Sequence, residues 1–331
     1  ACRLLDACIT NIGTRESTTR AWVSLDLDAA RRAALELDQE ADAGRYRGPL
    51  HGMPVGIKDL FDVAGMPTRA GSVSRAAIGA ASDDAPIIAS LRAAGCIVLG
   101  KTKTTEYAWL DPTDATNPFA VTRTPGGSSS GSGAAVGAGM VPLALGTQTV
   151  GSVCRPAAYC GTAAFKPTTG SLSMQGVVPF APSYDTPGFL APTLSIAVDA
   201  WRAAAGVKDP TSEVTVEGLA FGLPNDDFFS RIDPDIATTL EQIGQWLEAA
   251  GATRVALALS PDLEAMRALQ RTVMFHEAAR EHSRLLADEA MFARLGTHWR
   301  ECLSIGKTIT GDAAESARQA LARISEQALS R

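Results

Sequence analysis

Residues 122–176 read TRTPGGSSSGSGAAVGAGMVPLALGTQTVGSVCRPAAYCGTAAFKPTTGSLSMQG. The stretch is dense in Gly, Ser, Thr and Ala and carries no acidic side chain. Taken by composition alone it is low-complexity sequence. Against that reading, Val136, Met140, Leu143, Leu145, Val153 and Phe165 thread through it, and a linker has no use for them. Small residues mixed with apolar ones imply backbones in close approach and dihedrals that glycine tolerates. The segment therefore reads as scaffolding around an active site.

The flanks supply the frame. Asp26 to Ala43 reads as a helix, with Ala29, Ala33, Leu37 and Ala41 at four-residue steps and Gly44 as its stop. Pro54 to Ile57 reads as a short buried strand that runs into Lys58 and Asp59. Asp84 to Ala94 reads as a helix ended by Gly95, and Cys96 to Leu99 as the strand after it. This alternation suggests an α/β fold with a largely parallel sheet. Downstream, Ser195 to Ala205 and Pro234 to Ala250 read as helices, and Leu219 to Leu223 and Thr253 to Leu257 as strands. From Pro261 onward the pattern is almost all helix, and Ala317, Leu321, Ile324 and Ala328 stripe the last one.

Composition narrows the function classes. The chain has 331 residues, 46% apolar and 20% charged, which is a globular balance. Its formal net charge of −6 argues against a duplex-binding face, which must be basic. The longest apolar run, Ala134 to Leu145, contains Gly137, Gly139 and Pro142 and is short of the ~20 residues a membrane span needs. A basic-then-apolar leader is absent from the first residues, and the chain opens at Ala1, which suggests processing. The six cysteines form no CxxC and read as reduced, packed thiols of a cytoplasmic protein rather than a disulfide framework or a zinc knuckle.

Several chemical motifs come close and fail. Gly131 to Val136 misses the last glycine of a dinucleotide fingerprint. His276-Glu277-Ala278-Ala279-Arg280 has Arg where a zinc protease needs its second His, and reads as a helix surface. Gly127-Ser128-Ser129-Ser130-Gly131 fits G-x-S-x-G, but Thr124-Pro125-Gly126 before it is a poor strand for a nucleophile elbow. Only His51, His276, His282 and His298 could serve a Ser-His-Asp triad, so that esterase reading stays open but weak. What remains is rich in Ser and poor in His. A serine needs a base, and a buried lysine kept neutral by desolvation can be one. Lys58 is the only lysine in the first 100 residues and leaves the buried end of a strand. The alternative for it is an ordinary surface ion pair with Asp59.

Three ordered motifs resemble those of the amidase signature family. Gly52-Met-Pro-Val-Gly-Ile-Lys58-Asp59 is similar to its lysine motif, Thr124 to Ser132 to its Gly/Ser-rich signature, and Leu145 to Ala157 to its nucleophile loop. Leu99-Gly-Lys-Thr, Thr105-Glu106, Gly161 with Phe165-Lys166-Pro167, and Tyr184 to Gly188 support them. The likeness runs from about residue 20 to about 207 and weakens beyond.

The resemblance implies an α/β fold with a central twisted mixed sheet covered by helices on both faces. It implies one domain over residues 1–331, with a motif core at about 50–190 and a helical part at 230–331; the family's closing C-terminal segment is expected to be missing. By position, Ser152 matches the acylating nucleophile, Ser128 the bridging serine that follows a cis peptide, and Lys58 the base. The N–H groups around Thr149, Val150, Gly151 and Ser152 match the oxyanion hole. Gly127 and Ser129 are candidate substrate contacts. Arg155 would either clamp an acidic substrate or pair with Asp185. Gln148 and Thr149 are expected to hold the loop by side-chain hydrogen bonds. Val150, Gln148, Cys154 and Lys103 depart from the family's usual residues, and Val150 is expected to narrow the acyl pocket.

The implied activity is hydrolysis of a C–N bond in a small amide, carbamate or ureide. No metal or organic cofactor, nucleic acid or membrane is implied, and a homodimer is admissible. Two alternatives stand beside it: the A subunit of an aminoacyl-tRNA amidotransferase, which needs partner subunits, and a non-catalytic relative that keeps the fold for binding.

Overall fold

The computed structural model describes residues 1–207, 215–223, 232–257 and 263–329. Its contacts form two compact units, Ala1–Lys208 with Met274–Gly311, and Asp209–Val273 with Asp312–Arg331.

The first unit is built on a six-stranded sheet in the order β1-β3-β2-β4-β6-β5. The strands are β1 (Trp22–Leu25), β2 (Pro54–Lys58), β3 (Ile97–Thr102), β4 (Leu143–Gln148), β5 (Ala163–Phe165) and β6 (Thr186–Ala191). Only β3-β2 and β2-β4 pair in parallel, whereas β1-β3, β4-β6 and β6-β5 are antiparallel. The sheet is therefore mixed, as the resemblance implies, and not the largely parallel one that the helix-strand alternation suggests. For β6-β5 the reason is connectivity: a parallel neighbour needs a crossover, usually a helix, and no helix lies between β5 and β6.

Strand periodicity sorts the side chains into two cores. Val55 and Ile57 of β2, Leu143 and Leu145 of β4, and Phe189 and Ala191 of β6 join one cluster with α3 (Pro86–Ala93) and α6 (Leu194–Ala205). Ile97 and Leu99 of β3, Ala144 of β4 and Leu190 of β6 join the other, with α1 (Cys2–Thr19), α2 (Leu27–Asp42) and α4 (Ser130–Gly137). Alternate residues point to opposite faces, so helices cover the sheet on both sides. The segments Met274–Glu281 and Thr297–Thr308 add Phe275, Ala278, Trp299 and Leu303 to the first core.

Most of the helices read from the sequence are present, with small shifts. The carboxylate of Asp26 caps α2 by accepting the Ala29 N–H at 3.0 Å. The buried stripe of α2 is Ala30, Ala34 and Leu37, one residue round from the expected Ala29 and Ala33. His276 and Glu277 are not a surface: Glu277 is buried and accepts both the N–H and the hydroxyl of Ser183.

In the second unit, Pro234–Ala249 is a helix capped by Asp233. Ala220–Phe221 pairs in parallel with Thr253–Arg254, a shorter pair than the two strands read from sequence. The last helix, Gly311–Leu329, buries Ala317. The Ala328 side chain lies outside the described residues, as does part of the expected helical run just after Pro261.

Candidate active site

The glycines of the quoted segment work by letting backbones meet. A Cβ on Gly131 would sit 2.2 Å from the Ala21 carbonyl oxygen and 2.3 Å from the Lys103 nitrogen, and one on Gly133 would sit 2.9 Å from Pro156. So α4, whose Ser and Gly residues are weak helix formers, is wedged against its neighbours with its first turn held beside the end of β4. Ser132 fixes that turn: its hydroxyl donates to the Leu145 carbonyl at 2.9 Å and lies 2.8 Å from the Thr102 hydroxyl.

Lys58 ends β2 between β3 and β4 and is fully buried. Its amine meets Ser128 Oγ at 2.8 Å, Thr147 Oγ1 at 2.8 Å and the Thr147 carbonyl at 3.4 Å. Burial pushes its pKa well below the usual lysine value, and the carboxylate of Asp185 opposes that shift. The surface pair with Asp59 does not form. Asp59 pairs instead with buried Lys101 at 2.9 Å and accepts the Arg69 N–H. Lys58 is left facing two hydroxyls with no carboxylate at contact distance among the described residues.

The Gly127–Ser128 peptide is cis. The Ser128 carbonyl accepts the Thr105 N–H at 3.1 Å, and the Ser129 N–H donates to the Ser152 carbonyl at 3.2 Å. That bond brings the two serine-bearing segments together. Ser129 is itself buried, and its hydroxyl bridges the N–H and carbonyl of Thr147 at 3.3 Å each. It therefore splices α4 to β4 and is not open to solvent as a nucleophile-elbow serine would be. The four histidines hydrogen-bond no serine among the described residues. His282 is buried against Tyr107 and Trp299, meets the Pro179 carbonyl, and is pushed down to about 4 by desolvation.

Beyond β4 the chain turns through Thr149, Val150, Gly151 and Ser152 into α5 (Cys154–Tyr159). The Gln148 side chain accepts the N–H groups of Val153 and Cys154 at 2.9 Å each, and the Thr149 hydroxyl donates to Asp185 at 2.6 Å. Both expected loop-holding contacts are thus made. The N–H groups of Val150, Gly151 and Ser152 donate to no atom of the described residues. Ser152 is 9% exposed and Val150 is 53% exposed. Val150 does not take up positive φ, so its isopropyl group is presented at the mouth of the turn without a left-handed backbone.

Arg155 does not pair with Asp185. That carboxylate is occupied by Thr149 and by the N–H groups of Phe180 and Ala181. The Arg155 guanidinium lies instead over Gly151, where a Cβ would come within 2.9 Å of its Nη2. Gly127 packs on the Thr105 methyl, with the Ser130 hydroxyl the next nearest atom. Thr147 is the residue that sequence reasoning missed. It stands inside the nucleophile motif, and the parallel pairing of β2 with β4 brings it to the lysine. The described residues offer no group of three His, Cys, Asp or Glu side chains fit for a metal ion and no helix long and apolar enough to cross a membrane. All six cysteines are free thiols, and Cys154 is exposed.

Known proteins share this sequence pattern and this fold. The sequence pattern of the amidase family matches residues 3–323. The chain is 37% identical over 279 residues to the A subunit of the glutamyl-tRNA(Gln) amidotransferase of Chloroflexus aurantiacus, covering 78% of this chain and 57% of that one. It is 36% identical over 304 residues to an amidase of Pseudomonas putida, covering 87% and 64%. The chain thus spans less than two thirds of the length of these curated relatives. A crystal structure of an amidase superposes with a TM-score of 0.87 at 32% identity, over 98% of this chain and 75% of that one. With the sheet, the motif order and these likenesses agreeing, the chain belongs to the amidase signature family.

Proposed function

We propose that the protein hydrolyses the C–N bond of a small amide, or of a related carbamate or ureide, through an acyl-enzyme on Ser152. The observation that carries this reading is the buried Lys58 amine, 2.8 Å from Ser128 Oγ and with no carboxylate at contact distance among the described residues. A neutral amine has a lone pair, and Ser128 is the hydroxyl that can hand it a proton. Ser152 passes its proton to Ser128 as Ser128 passes one to Lys58. The Ser152 oxygen attacks the carbonyl carbon, and the C=O electron pair moves to oxygen. That oxyanion meets the uncommitted N–H groups of Val150, Gly151 and Ser152, with Thr149 shaping the turn. One preformed donor of this kind is worth ~3–4 kcal/mol. The proton returns through Ser128 to the leaving nitrogen, the C–N bond breaks, and water repeats the sequence to release the acid.

Arg155 supports a substrate that carries a carboxylate. Its guanidinium stands beside the turn, has no ion pair among the described residues, and offers the bidentate geometry a carboxylate takes. Gly127 and Ser129 act from behind, as backbone support to Ser128. Six free thiols fit a reducing compartment, the cytoplasm in this reading, and a small molecule is the only partner the chemistry requires.

The amidotransferase relative favours a second reading, in which the same centre releases ammonia from glutamine for partner subunits. One experiment separates them. The isolated chain is assayed on aryl amides, dicarboxylic monoamides, carbamates and glutamine, with Ser152→Ala alongside. Turnover by the isolated chain on a small amide, lost in Ser152→Ala, supports the hydrolase. An isolated chain inactive on every one of these amides supports the second reading, which needs partner subunits, and undiminished turnover by Ser152→Ala overturns both.

A further inference from the structure

Asp185 is a buried carboxyl group to which the reaction sequence above gives no task. It is 5% exposed and immediately precedes β6. The antiparallel register of β4 and β6 pairs Thr147 with Pro187 and Gln148 with Thr186, so the next positions across are Thr149 and Asp185. Their side chains meet, with the Thr149 hydroxyl donating to Oδ1 at 2.6 Å. Oδ2 accepts the N–H groups of Phe180 at 2.7 Å and Ala181 at 2.9 Å. All three contacts bring hydrogen to oxygen, the demand of an ionised, acceptor-only carboxylate. Burial raises its pKa above the usual carboxylate value, and these bonds oppose that rise.

Two features of the centre converge on this carboxylate. Thr149 opens the turn that carries Ser152 and its uncommitted N–H groups, so Asp185 holds one end of that turn as Gln148 holds the other. The groups that face the Lys58 amine are Ser128 from the turn before α4, Thr147 from β4 and, at longer range, Asp185 from the start of β6. Asp59, next to Lys58 on β2, is neutralised by Lys101 on β3. Asp185 is thus the one charged group among the described residues whose field acts appreciably on Lys58.

We propose that Asp185 is a positioning residue for the Lys58–Ser128–Ser152 centre: it fastens the Thr149–Ser152 turn to the start of β6 and sets a buried negative charge within electrostatic reach of the Lys58 amine. This inference rests on the catalytic reading given above. A negative charge near an amine favours its protonated form. Removing the charge therefore makes Lys58 lose its proton at lower pH, and the lower limb of the kcat/KM profile moves to acid. A purely structural side chain would leave that limb in place.

The test measures pH profiles of amide hydrolysis for Asp185→Asn and Thr149→Val beside the parent and Ser152→Ala. Asp185→Asn is expected to move the lower limb down by about half a pH unit or more. Thr149→Val, which keeps the charge and loses the tether, is expected to lower kcat about tenfold with the limb unmoved and KM little changed. A limb for Asp185→Asn that coincides with the parent's overturns the inference, as does parent-like kcat in Thr149→Val. If Asp185→Asn fails to fold, Thr149→Val decides through kcat: a tenfold loss supports the tether and a parent-like value overturns the inference. Ser152→Ala separates the two levels. If it is dead while both other variants behave as the parent, only the role of Asp185 falls. If it is active, the catalytic reading falls first.

Discussion

Thr147→Val removes one oxygen from around the Lys58 amine and changes little else. A neutral amine has two N–H bonds and one lone pair, and Lys58 has three oxygen neighbours. Two N–H bonds directed at Thr147 Oγ1 and the Thr147 carbonyl leave the lone pair aimed at Ser128. Valine keeps the shape of the side chain and keeps the backbone groups that meet Ser129, but one amine N–H then has no acceptor. A buried polar group left unsatisfied costs about 1–3 kcal/mol. If that loss falls on the orientation that accepts the Ser128 proton, kcat/KM drops roughly 5- to 150-fold, with 1.36 kcal/mol per factor of ten. The assay is steady-state hydrolysis of a small amide across pH, with near-ultraviolet circular dichroism to show that the variant is folded. A folded Thr147→Val whose kcat/KM stays within about twofold of the parent would refute the assignment of the two N–H bonds.

Lys58→Met tests burial of the neutral amine through stability. Unfolded Lys58 binds a proton below ~10.4, whereas the folded side chain, with its pKa lowered by burial, has released it. The unfolded state then holds one more proton, so the parent gains stability with rising pH by about 1.4 kcal/mol per unit between the two pKa values, and the Met variant lacks that slope. Parallel denaturation curves for the two proteins from neutral to alkaline pH would show that Lys58 titrates alike in both states. Arg155→Gln should raise KM for a dicarboxylic monoamide about tenfold or more, the worth of hydrogen bonds to a charged group, and leave a neutral amide unaffected. Equal effects on the two substrates would remove the carboxylate clamp.

How much of this is legible in the sequence depends on how local the cause is. Asp26 caps α2 because a carboxylate three residues before a free N–H is a local signal. Pro54–Ile57 reads as buried because its apolar run is continuous, and the order of the three motifs carries Lys58, Ser128 and Ser152 together. By contrast α4 has the composition of a loop and is helical because its glycines admit Ala21, Lys103 and Pro156 as backbone neighbours. β4 and β6 contain Gly146, Gly188 and Pro187 and declare themselves only through their pairing. Thr147 and Asp185 belong to the same class: the register between strands far apart in the chain sets their partners, and no spacing along one strand records it. Arg155 shows the opposite limit. Its position three residues past Ser152 is legible, yet Asp185 is struck off as its partner only because that carboxylate is filled by Thr149, Phe180 and Ala181.

Turnover through Ser152 requires a covalent acyl bond to that serine, which intact-mass spectrometry detects. The protein is mixed with an excess of a turned-over amide and quenched in acid within the first turnover. Added mass equal to the acyl group less one hydrogen is expected, located on the peptide that carries Ser152 and absent from Ser152→Ala. Acyl mass on a different residue, or on the Ser152→Ala protein, would contradict turnover through Ser152.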